Sequence, residues 1–322
     1  MRAIEIAGFG GPEMLQPCER ETPRPGEGEV LIRICSAGVN RPEVLQRMGL
    51  YPPPPGASDI PGLECAGVVE AVGPGVSDIA PGDRVAALLT GGGYAEFALA
   101  DAGSCLKVPD GLPLEDAGGY AEATFTVFAN VYDDANLQAG ETLLVHGGTS
   151  GIGAAAILYA KASGARVIAT ASSAEKRAHI RAMGADLALD YRRDDWETDI
   201  AAFGGADVVL DMAGGDFVRR NLQTLNPGGR HVSIAMLRGP VGEFDIFTLM
   251  RKRLRLSGST MKIRSKEEKR RLRDAIALNL WPLVADGRVR LPVERAFPLE
   301  AAADAHRLME SGGHVGKILL RP

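Results

Sequence analysis

Residues 144–157 read LVHGGTSGIGAAAI, and this stretch decides the fold. A short apolar run, Thr142 to His146, precedes the glycines, and an alanine-rich run, Ile152 to Ser163, follows them. The first run has the length and composition of a buried strand, and the second has those of a helix. Glycine is needed where a backbone turns sharply and another group approaches it closely. We therefore predict a strand, a glycine loop and a helix in succession.

The glycine loop is a candidate binding site for the phosphates of a dinucleotide. A loop of this kind brings free backbone N–H groups and the positive end of a helix dipole to one point. The spacing is G-G-x-x-G-x-G, from Gly147 to Gly153, and differs from the usual G-x-G-x-x-G. A glycine loop alone is also compatible with a simple turn. The strand before it, the helix after it and the further strands and helices behind it favour a dinucleotide.

The pattern of apolar, glycine and proline residues along the sequence predicts two domains. Residues 1–118 contain short β-rich runs separated by glycine and proline clusters, which is typical of a small barrel or sandwich. In residues 119–261 apolar strands alternate with helices, which predicts an α/β fold: a doubly wound parallel sheet of the Rossmann type. After residue 261 this alternation breaks again. The run RLRLSGST, 253–260, is a possible edge strand, and pairing of two such edges across a two-fold axis would give a homodimer.

Composition narrows the class of protein. A net charge of -5 over 322 residues argues against a surface for nucleic acids, and no apolar run reaches the length of a membrane span. The first residues contain no apolar segment of a secretion signal, so we expect a cytoplasmic protein. The four cysteines and five histidines are scattered without a CxxC or HExxH motif, and we expect no bound metal.

The segment IATASSAEKR, 168–177, indicates which dinucleotide is bound. NAD sites place an Asp or Glu after the second strand, where the carboxylate bonds to the ribose hydroxyls. Here Ser172 and Ser173 stand at that point and Lys176 follows. Hydroxyls and an ammonium attract a 2′-phosphate, whereas an acid repels it. We therefore predict NADPH as the cofactor, although Lys176 taken alone also fits an exposed helix lysine.

Four motifs carry a resemblance to a known family. The run AGVNRPEVLQRMGLYPPPPGASDIPGLECAGVV, 37–69, the segments GGGYAEF and HGGTSGIG, and the closing GHVGKILL resemble the medium-chain dehydrogenase/reductase superfamily. Within it they are most similar to the zinc-independent quinone oxidoreductases of the p53-inducible, zeta-crystallin-like type. The resemblance covers essentially the whole chain. It implies a GroES-like catalytic domain, formed by residues 1–118 and 262–322, beside the Rossmann domain of residues 119–261. It also implies a homodimer and hydride transfer from NADPH to a quinone in the cleft between the domains.

Two departures from the zinc alcohol dehydrogenases agree with this branch. Asn40 stands where those enzymes carry a metal-binding cysteine, and Gly62-Leu63-Glu64 stands where they have Gly-His-Glu. Without a Lewis acid, an enzyme loses its means of stabilising an alkoxide. Quinones and activated carbonyls, which accept hydride with little help, fit such a site better than alcohols do.

The candidate site residues follow from these two lines of reasoning. We assign Tyr51 as the catalytic residue, because a phenol can donate a hydrogen bond to a carbonyl that gains negative charge; the alternative is a packing tyrosine. For Asn40 a role as a turn residue is equally open, and Tyr191 also fits a strand cap. With the resemblance, the cofactor-binding set is Asn40, Thr126, Thr149, Ser150, Gly151, Ile152, Ser172, Ser173, Lys176, Tyr191, Met236 and Lys317.

Two other functions use the same parts. Reduction of an enone or an enoyl thioester needs the same cofactor and a similar acceptor site. A protein of another class, a redox sensor that holds NADPH without turnover, would need only the dinucleotide site.

Overall fold

A computed structural model describes residues 1–322 and separates the chain into two compact units. The β-rich unit contains Met1–Phe125 and Lys262–Pro322, and the parallel-sheet unit contains Thr126–Met261. The sequence pattern predicts the first boundary at residue 118. The β-rich unit extends further because two amides beyond this point bond to its strands: Gly118 N donates to Ser36 Oγ at 3.0 Å, and Glu122 N donates to Glu64 Oε2 at 2.9 Å.

The chain forms strands throughout both units. In chain order they are β1 (Arg2–Ile6), β2 (Leu15–Glu19), β3 (Glu29–Val39), β4 (Glu64–Val72), β5 (Arg84–Leu88), β6 (Phe97–Asp101), β7 (Cys105–Lys107), β8 (Thr142–Val145), β9 (Arg166–Ala171), β10 (Leu187–Asp190), β11 (Ala206–Asp211), β12 (Leu225–Ser233), β13 (Arg255–Gly258), β14 (Val293–Pro298) and β15 (Lys317–Arg321).

The helices are mostly short. They are α1 (Arg41–Arg47), α2 (Leu114–Ala117), α3 (Ala121–Val127), α4 (Gly151–Ala162), α5 (Ala174–Ala182), α6 (Trp196–Phe203), α7 (Phe217–Thr224), α8 (Ile246–Lys252), α9 (Lys266–Asn279), α10 (Trp281–Ala285) and α11 (Ala302–Ser311). None of them combines the length and the apolar composition that crossing a bilayer requires.

The β-rich unit is built on a seven-stranded sheet. Its order is β14-β15-β3-β4-β5-β7, and β6 also pairs with β3. Strand β3 is long enough to serve three neighbours, and its apolar residues Val30 and Ile32 are fully buried with Val69 of β4 and Val85 of β5. The last strand, β15, therefore joins the sheet formed by the first hundred residues, as the assignment of residues 262–322 to this domain requires.

The parallel-sheet unit confirms the predicted Rossmann fold. Six parallel strands lie in the order β10-β9-β8-β11-β12-β13, which is 3-2-1-4-5-6 when counted within the unit. The central strands are apolar along their whole length, as Leu143 and Leu144 show, because helices cover both faces of the sheet. The order reverses between β8 and β11, so the loop after β8 lies at the switch point, where such sheets bind ligands.

The predicted edge strand is present and shorter than expected. Strand β13 occupies one end of the sheet, and all four of its residues are exposed. The strand begins at Arg255, because Arg253 ends α8 in the left-handed region with φ 53°.

Candidate active site

The glycine loop connects β8 to α4 through a tight turn. Gly147 has φ 64°, a conformation that L side chains rarely adopt. A Cβ on Gly153 would overlap the carbonyl oxygen of Gly147, so the start of the helix packs directly on the loop. The conformation of Gly147 and the close packing at Gly153 explain why both positions are glycine.

The start of α4 offers amide donors. Ser150 is the N-cap, and its Oγ accepts from Gly153 N at 3.0 Å. The amides of Gly151 and Ile152 have no carbonyl acceptor within the helix. Together with the helix dipole they favour an anion here. Thr149 is 6% exposed, so little of this residue reaches the surface of the loop.

The segment after β9 carries no acidic side chain at the end of the strand. Strand β9 ends at Ala171, and Ser172 follows it as a half-buried residue. Ser173 is the N-cap of α5, where its Oγ accepts from Lys176 N at 3.1 Å. The Ser173 hydroxyl can still donate its proton outward, since capping uses only a lone pair. Lys176 is half-buried in the first turn of α5.

The carboxylate that ends the next strand is neutralised by arginines. Arg192 Nη2 and Arg177 Nη1 each lie 2.8 Å from Asp190 Oδ2, and the hydrogen bond from Arg192 holds the pKa of Asp190 well below its usual range. Tyr191 follows Asp190 and is half-buried, with its ring 6.2 Å from that of Phe217. The anion at this strand end is therefore balanced before any ligand phosphate arrives.

One edge of the sheet collects most of the predicted cofactor-binding residues. Because the strands are parallel, the segments that follow them emerge on the same side. Met236, which follows β12, also lies at this edge and is 64% exposed. The residues placed here are Thr149, Ser150, Gly151, Ile152, Ser172, Ser173, Lys176, Tyr191 and Met236. Their roles toward a cofactor stay predictions.

Asn40 and Lys317 meet in the β-rich unit around a carboxylate that the sequence analysis did not assign. Lys317 Nζ lies 2.6 Å from Asn40 Oδ1 and 2.6 Å from Glu64 Oε1. Asn40 Nδ2 donates to the same Glu64 oxygen at 3.1 Å. The Glu64 side chain is fully buried, and that of Lys317 is 3% exposed. This buried ion pair holds the Asn40 amide in one orientation.

A second buried carboxylate, Glu43, supports the same cluster from α1. Asn40 is the N-cap of α1 and forms a reciprocal capping box with Glu43. Glu43 accepts from Asn40 N at 3.1 Å and from Leu63 N at 3.1 Å. Burial nevertheless raises the pKa of Glu43 to about 8. Asn40 is thus both a helix cap and part of the charged cluster, so neither of the two interpretations weighed for it excludes the other.

The remaining two predicted residues occupy different settings. Tyr51 is half-buried shortly after α1, and Lys262 Nζ lies 4.1 Å from the centre of its ring. The same ammonium donates to Pro52 O, which fixes the start of the proline run. Thr126 lies in α3 and is 6% exposed; its carbonyl accepts from Asn130 Nδ2 at 2.7 Å.

Sequence reasoning missed Glu43 and Glu64 as members of the site. A signal was available: Glu64 opens the apolar strand ECAGVV, and Lys317 opens the apolar strand KILL. Charged residues at the buried ends of apolar strands need partners, and Glu64 and Lys317 are partners of each other. In the described chain no three or more His, Cys, Asp or Glu side chains come together as a set of metal ligands.

Comparisons with known proteins agree with this architecture. Residues 26–110 match a family described as "Alcohol dehydrogenase GroES-like domain", and residues 151–277 match one described as "Zinc-binding dehydrogenase". The rat protein "Quinone oxidoreductase" is 32% identical over 326 residues, which cover 99% of this chain and 97% of the relative. A "Mycocerosic acid synthase-like polyketide synthase" of Mycolicibacterium smegmatis is 34% identical over 94% of this chain, although the match covers 14% of that protein.

A solved structure extends the likeness to three dimensions. The Escherichia coli quinone oxidoreductase complexed with NADPH aligns over 100% of both chains with a TM-score of 0.86 and 30% identity. The strand order, the two family matches and the full-length relatives agree with one another, and on these grounds the chain belongs to the medium-chain dehydrogenase/reductase superfamily, an oxidoreductase family that includes the quinone oxidoreductases.

Proposed function

We propose that this oxidoreductase reduces quinones with NADPH and does so without zinc. The observation that carries the proposal is the combination of a phosphate loop at the switch point with the Ser172–Lys176 segment, which replaces the acid of an NAD site. When bound, NADPH supplies the hydride. The relatives that are named quinone oxidoreductases, one of them solved with NADPH, support the acceptor class.

The residues of the parallel-sheet unit fit NADPH by their chemistry. The amides of Gly151 and Ile152 would hold the pyrophosphate, and Thr149 and Ser150 shape the turn that presents them. Ser172, Ser173 and Lys176 would hold the 2′-phosphate. Tyr191 would lie toward the adenosine, and Thr126 and Met236 toward the nicotinamide. Strand β9 ends at Ala171 without an acidic side chain, and the next carboxylate along the chain, Glu175, is exposed in the first turn of α5.

We infer that Lys317 makes this part of the β-rich unit a poor site for zinc. Its ammonium already lies between Asn40 Oδ1 and Glu64 Oε1, at 2.6 Å from each. These two oxygens are the donors that a cation would use, and a second cation would be repelled by the first. Neither Asn40 nor Leu63 provides the thiolate or imidazole that zinc prefers. In our proposal Asn40 and Lys317 instead contribute to binding the cofactor.

A second acceptor class has support of its own. The polyketide synthase of Mycolicibacterium smegmatis is as similar to this chain as the quinone oxidoreductases are. Polyketide chemistry handles acyl thioesters, so reduction of an activated carbon–carbon double bond is the alternative. Both reactions need the same hydride source and a hydrogen bond to a carbonyl that gains negative charge.

The test is NADPH oxidation by the purified protein after treatment with a chelator, with quinones and enones assayed in parallel and NADH as the control. We expect rapid turnover with ortho- or para-quinones and little with NADH. Turnover with enones alone would replace quinones by the alternative class. Tight NADPH binding without turnover on any acceptor would contradict an enzyme and support the redox sensor.

We expect Tyr51→Phe to lower turnover about tenfold or more while changing NADPH affinity less than twofold, because it removes one hydrogen-bond donor from the transition state. Steady-state kinetics and a binding titration measure the two effects. Tyr132→Phe is the matched control, since the Tyr132 hydroxyl bonds to Ser163 Oγ at 3.2 Å within the parallel-sheet unit. Unchanged turnover of Tyr51→Phe with every acceptor would refute the catalytic role of the phenol.

We also propose that two copies of the chain pair through the β13 edge. The backbone of this edge is unpaired in the single chain, and it would extend the sheet across a two-fold axis. Large apolar side chains are exposed in the same region of the chain: Met236, Leu237, Val241, Phe244, Ile246, Phe247, Met250 and Leu256. Sedimentation at micromolar concentration should show twice the chain mass of 34.0 kDa, and a species of the single mass would contradict the pairing.

A further inference from the structure

A series of buried polar side chains, connected by hydrogen bonds, crosses the parallel-sheet unit next to the glycine loop. It starts at Thr170 of β9 and passes through His146, which follows β8, to Asn221 of α7. His146 Nδ1 lies 3.1 Å from Thr170 Oγ1, and His146 Nε2 lies 2.7 Å from Asn221 Oδ1. All three residues are at most 2% exposed. Polar groups buried to this extent need hydrogen-bond partners within the protein.

The hydrogen-bonded series continues to a carboxylate on the neighbouring strands. Asn221 Nδ2 lies 3.3 Å from His231 Nε2 of β12, and His231 Nε2 in turn lies 3.3 Å from Asp211 Oδ2 of β11. His231 and Asp211 are also buried. Desolvation opposes a charge on Asp211, but the hydrogen bond from His231 and the neighbouring imidazoles of His146 and His231 outweigh it and lower the pKa of this carboxyl. Asp211 is therefore the anionic end of this hydrogen-bonded series.

Each end of this hydrogen-bonded series binds the backbone of a loop at the carboxyl edge of the sheet. At one end Gly147 N, in the glycine loop, donates to Thr170 Oγ1 at 3.4 Å. At the other end Asp211 Oδ1 accepts from Ala213 N at 2.7 Å and from Gly214 N at 3.3 Å, in the loop after β11. Thus one continuous set of hydrogen bonds connects two loops that come from different strands.

Met212, in the loop after β11, contacts the glycine loop directly. Its Sδ lies 3.6 Å from Ser150 Oγ, which donates to it, and a Cβ built on Gly147 would lie 3.0 Å from the same sulfur. The loop after β11 is thus packed on the glycine loop directly as well as through the hydrogen-bonded series. We call the five side chains Thr170, His146, Asn221, His231 and Asp211, with the two loops that they connect, the loop ring.

The hydrogen-bond directions in the loop ring depend on one another. As a donor, His231 Nε2–H bonds to Asp211 and can share its proton with the Asn221 amide oxygen, whereas as an acceptor from Asn221 Nδ2 it would lose its bond to Asp211. This choice sets the orientation of the Asn221 amide. The amide orientation then sets the tautomer of His146, and the tautomer decides whether Thr170 donates or accepts. A change at either end is therefore transmitted to the other.

We propose that the loop ring positions the glycine loop and the loop after β11 as one cooperative unit, and that its five side chains are positioning residues for the dinucleotide. The part that concerns the dinucleotide rests on the proposed function. The coupling between the two loops rests on the geometry alone.

The test compares one substitution at two buried threonines of adjacent strands. Thr170→Val removes the hydroxyl that bonds to His146 and Gly147. Thr142→Val, in β8, removes a buried hydroxyl that has no hydrogen-bond partner, and it is the matched control. Amide hydrogen exchange without cofactor, NADPH titration and turnover at saturating NADPH are measured for both variants.

For Thr170→Val we expect faster exchange at Gly147 and also at Ala213 and Gly214, at the far end of the ring. We expect the NADPH dissociation constant to rise about tenfold, which corresponds to roughly one lost hydrogen bond, while turnover at saturating NADPH stays within about twofold. Thr142→Val should leave all three quantities unchanged. This split separates positioning from a general loss of stability, which would speed exchange throughout the sheet.

Faster exchange at Gly147 alone would overturn the coupling. An unchanged dissociation constant beside coupled exchange would overturn the role toward the dinucleotide. If the wild-type protein does not bind NADPH, the proposed function fails, and the exchange data still decide whether the ring is cooperative. If Thr170→Val does not fold, Asp211→Asn tests the same coupling from the other end: it should speed exchange at Gly147, and unchanged exchange there would contradict the proposal.

Discussion

Replacing Lys176 by alanine is expected to weaken NADPH binding about ten- to a hundredfold and to leave NADH binding unchanged, which is the effect of losing one charge-assisted hydrogen bond. The expectation rests on three features of the first turn of α5. The strand before it ends without an acid, Ser173 caps the helix, and Lys176 is half-buried beside that cap. Titration with each dinucleotide measures the two dissociation constants.

Arg181→Ala is the matched control for this prediction. Arg181 lies in the last turn of the same helix, where its Nη2 approaches Ala188 O at 3.4 Å. The substitution removes the same formal charge at the opposite end of α5, so its effect on either dinucleotide should stay within about twofold, as for a screened surface charge. An equal loss of NADPH and NADH affinity in Lys176→Ala would show that Lys176 supports the helix and does not contact the 2′-phosphate.

The parts of the fold that depend on local patterns could be predicted from the sequence. The strand expected at Thr142 to His146 is present as Thr142–Val145, and the helix expected from Ile152 to Ser163 runs from Gly151 to Ala162. Both follow from a few neighbouring residues: an apolar run, a glycine turn and an alanine-rich stretch. The Rossmann order follows from repetition of this unit, because successive right-handed crossovers leave few alternatives.

The polar interior could not be predicted in the same way, because its partners are far apart in the chain. Lys317 and Asn40 are separated by 277 positions, and the sequence gives no register by which strands β15 and β3 would bring them together. The resemblance named both residues as cofactor contacts, yet it did not indicate that Glu64 binds them. The domain boundary was displaced for a similar reason, since Glu122 N bonds to a strand 58 positions away.

The loop ring shows the same limit within one domain. His146 follows β8 and Asp211 ends β11, and in the sequence both look like ordinary polar residues next to a loop. Only the sheet order places β8 beside both β9 and β11, so that Thr170 and Asp211 flank the histidine from two sides. A sequence pattern indicates which residues are buried, but it does not state which buried polar groups will satisfy one another.

Replacing Lys317 by methionine is expected to have the largest effect on stability. The substitution keeps much of the side-chain volume and removes the ammonium, which leaves the fully buried Glu64 carboxylate without its cation. Breaking a buried pair in this way costs on the order of 3–5 kcal/mol. For a unit of this size that corresponds to a fall in melting temperature of roughly 10 °C. Calorimetry or a thermal shift assay without cofactor measures it.

The double variant Lys317→Met, Glu64→Gln separates loss of the pair from loss of packing. With the carboxylate neutralised as well, no unpaired charge stays buried, so we expect the double variant to be more stable than Lys317→Met. Lys107→Met is the matched control in the same unit: Lys107 and Asp83 lie 2.9 Å apart, but their side chains are 61% and 29% exposed. An exposed pair of this kind contributes about 1 kcal/mol or less, because water screens the charges. If Lys317→Met were as stable as Lys107→Met, the buried ion pair would not hold the charged cluster together, and the orientation of Asn40 would need another cause.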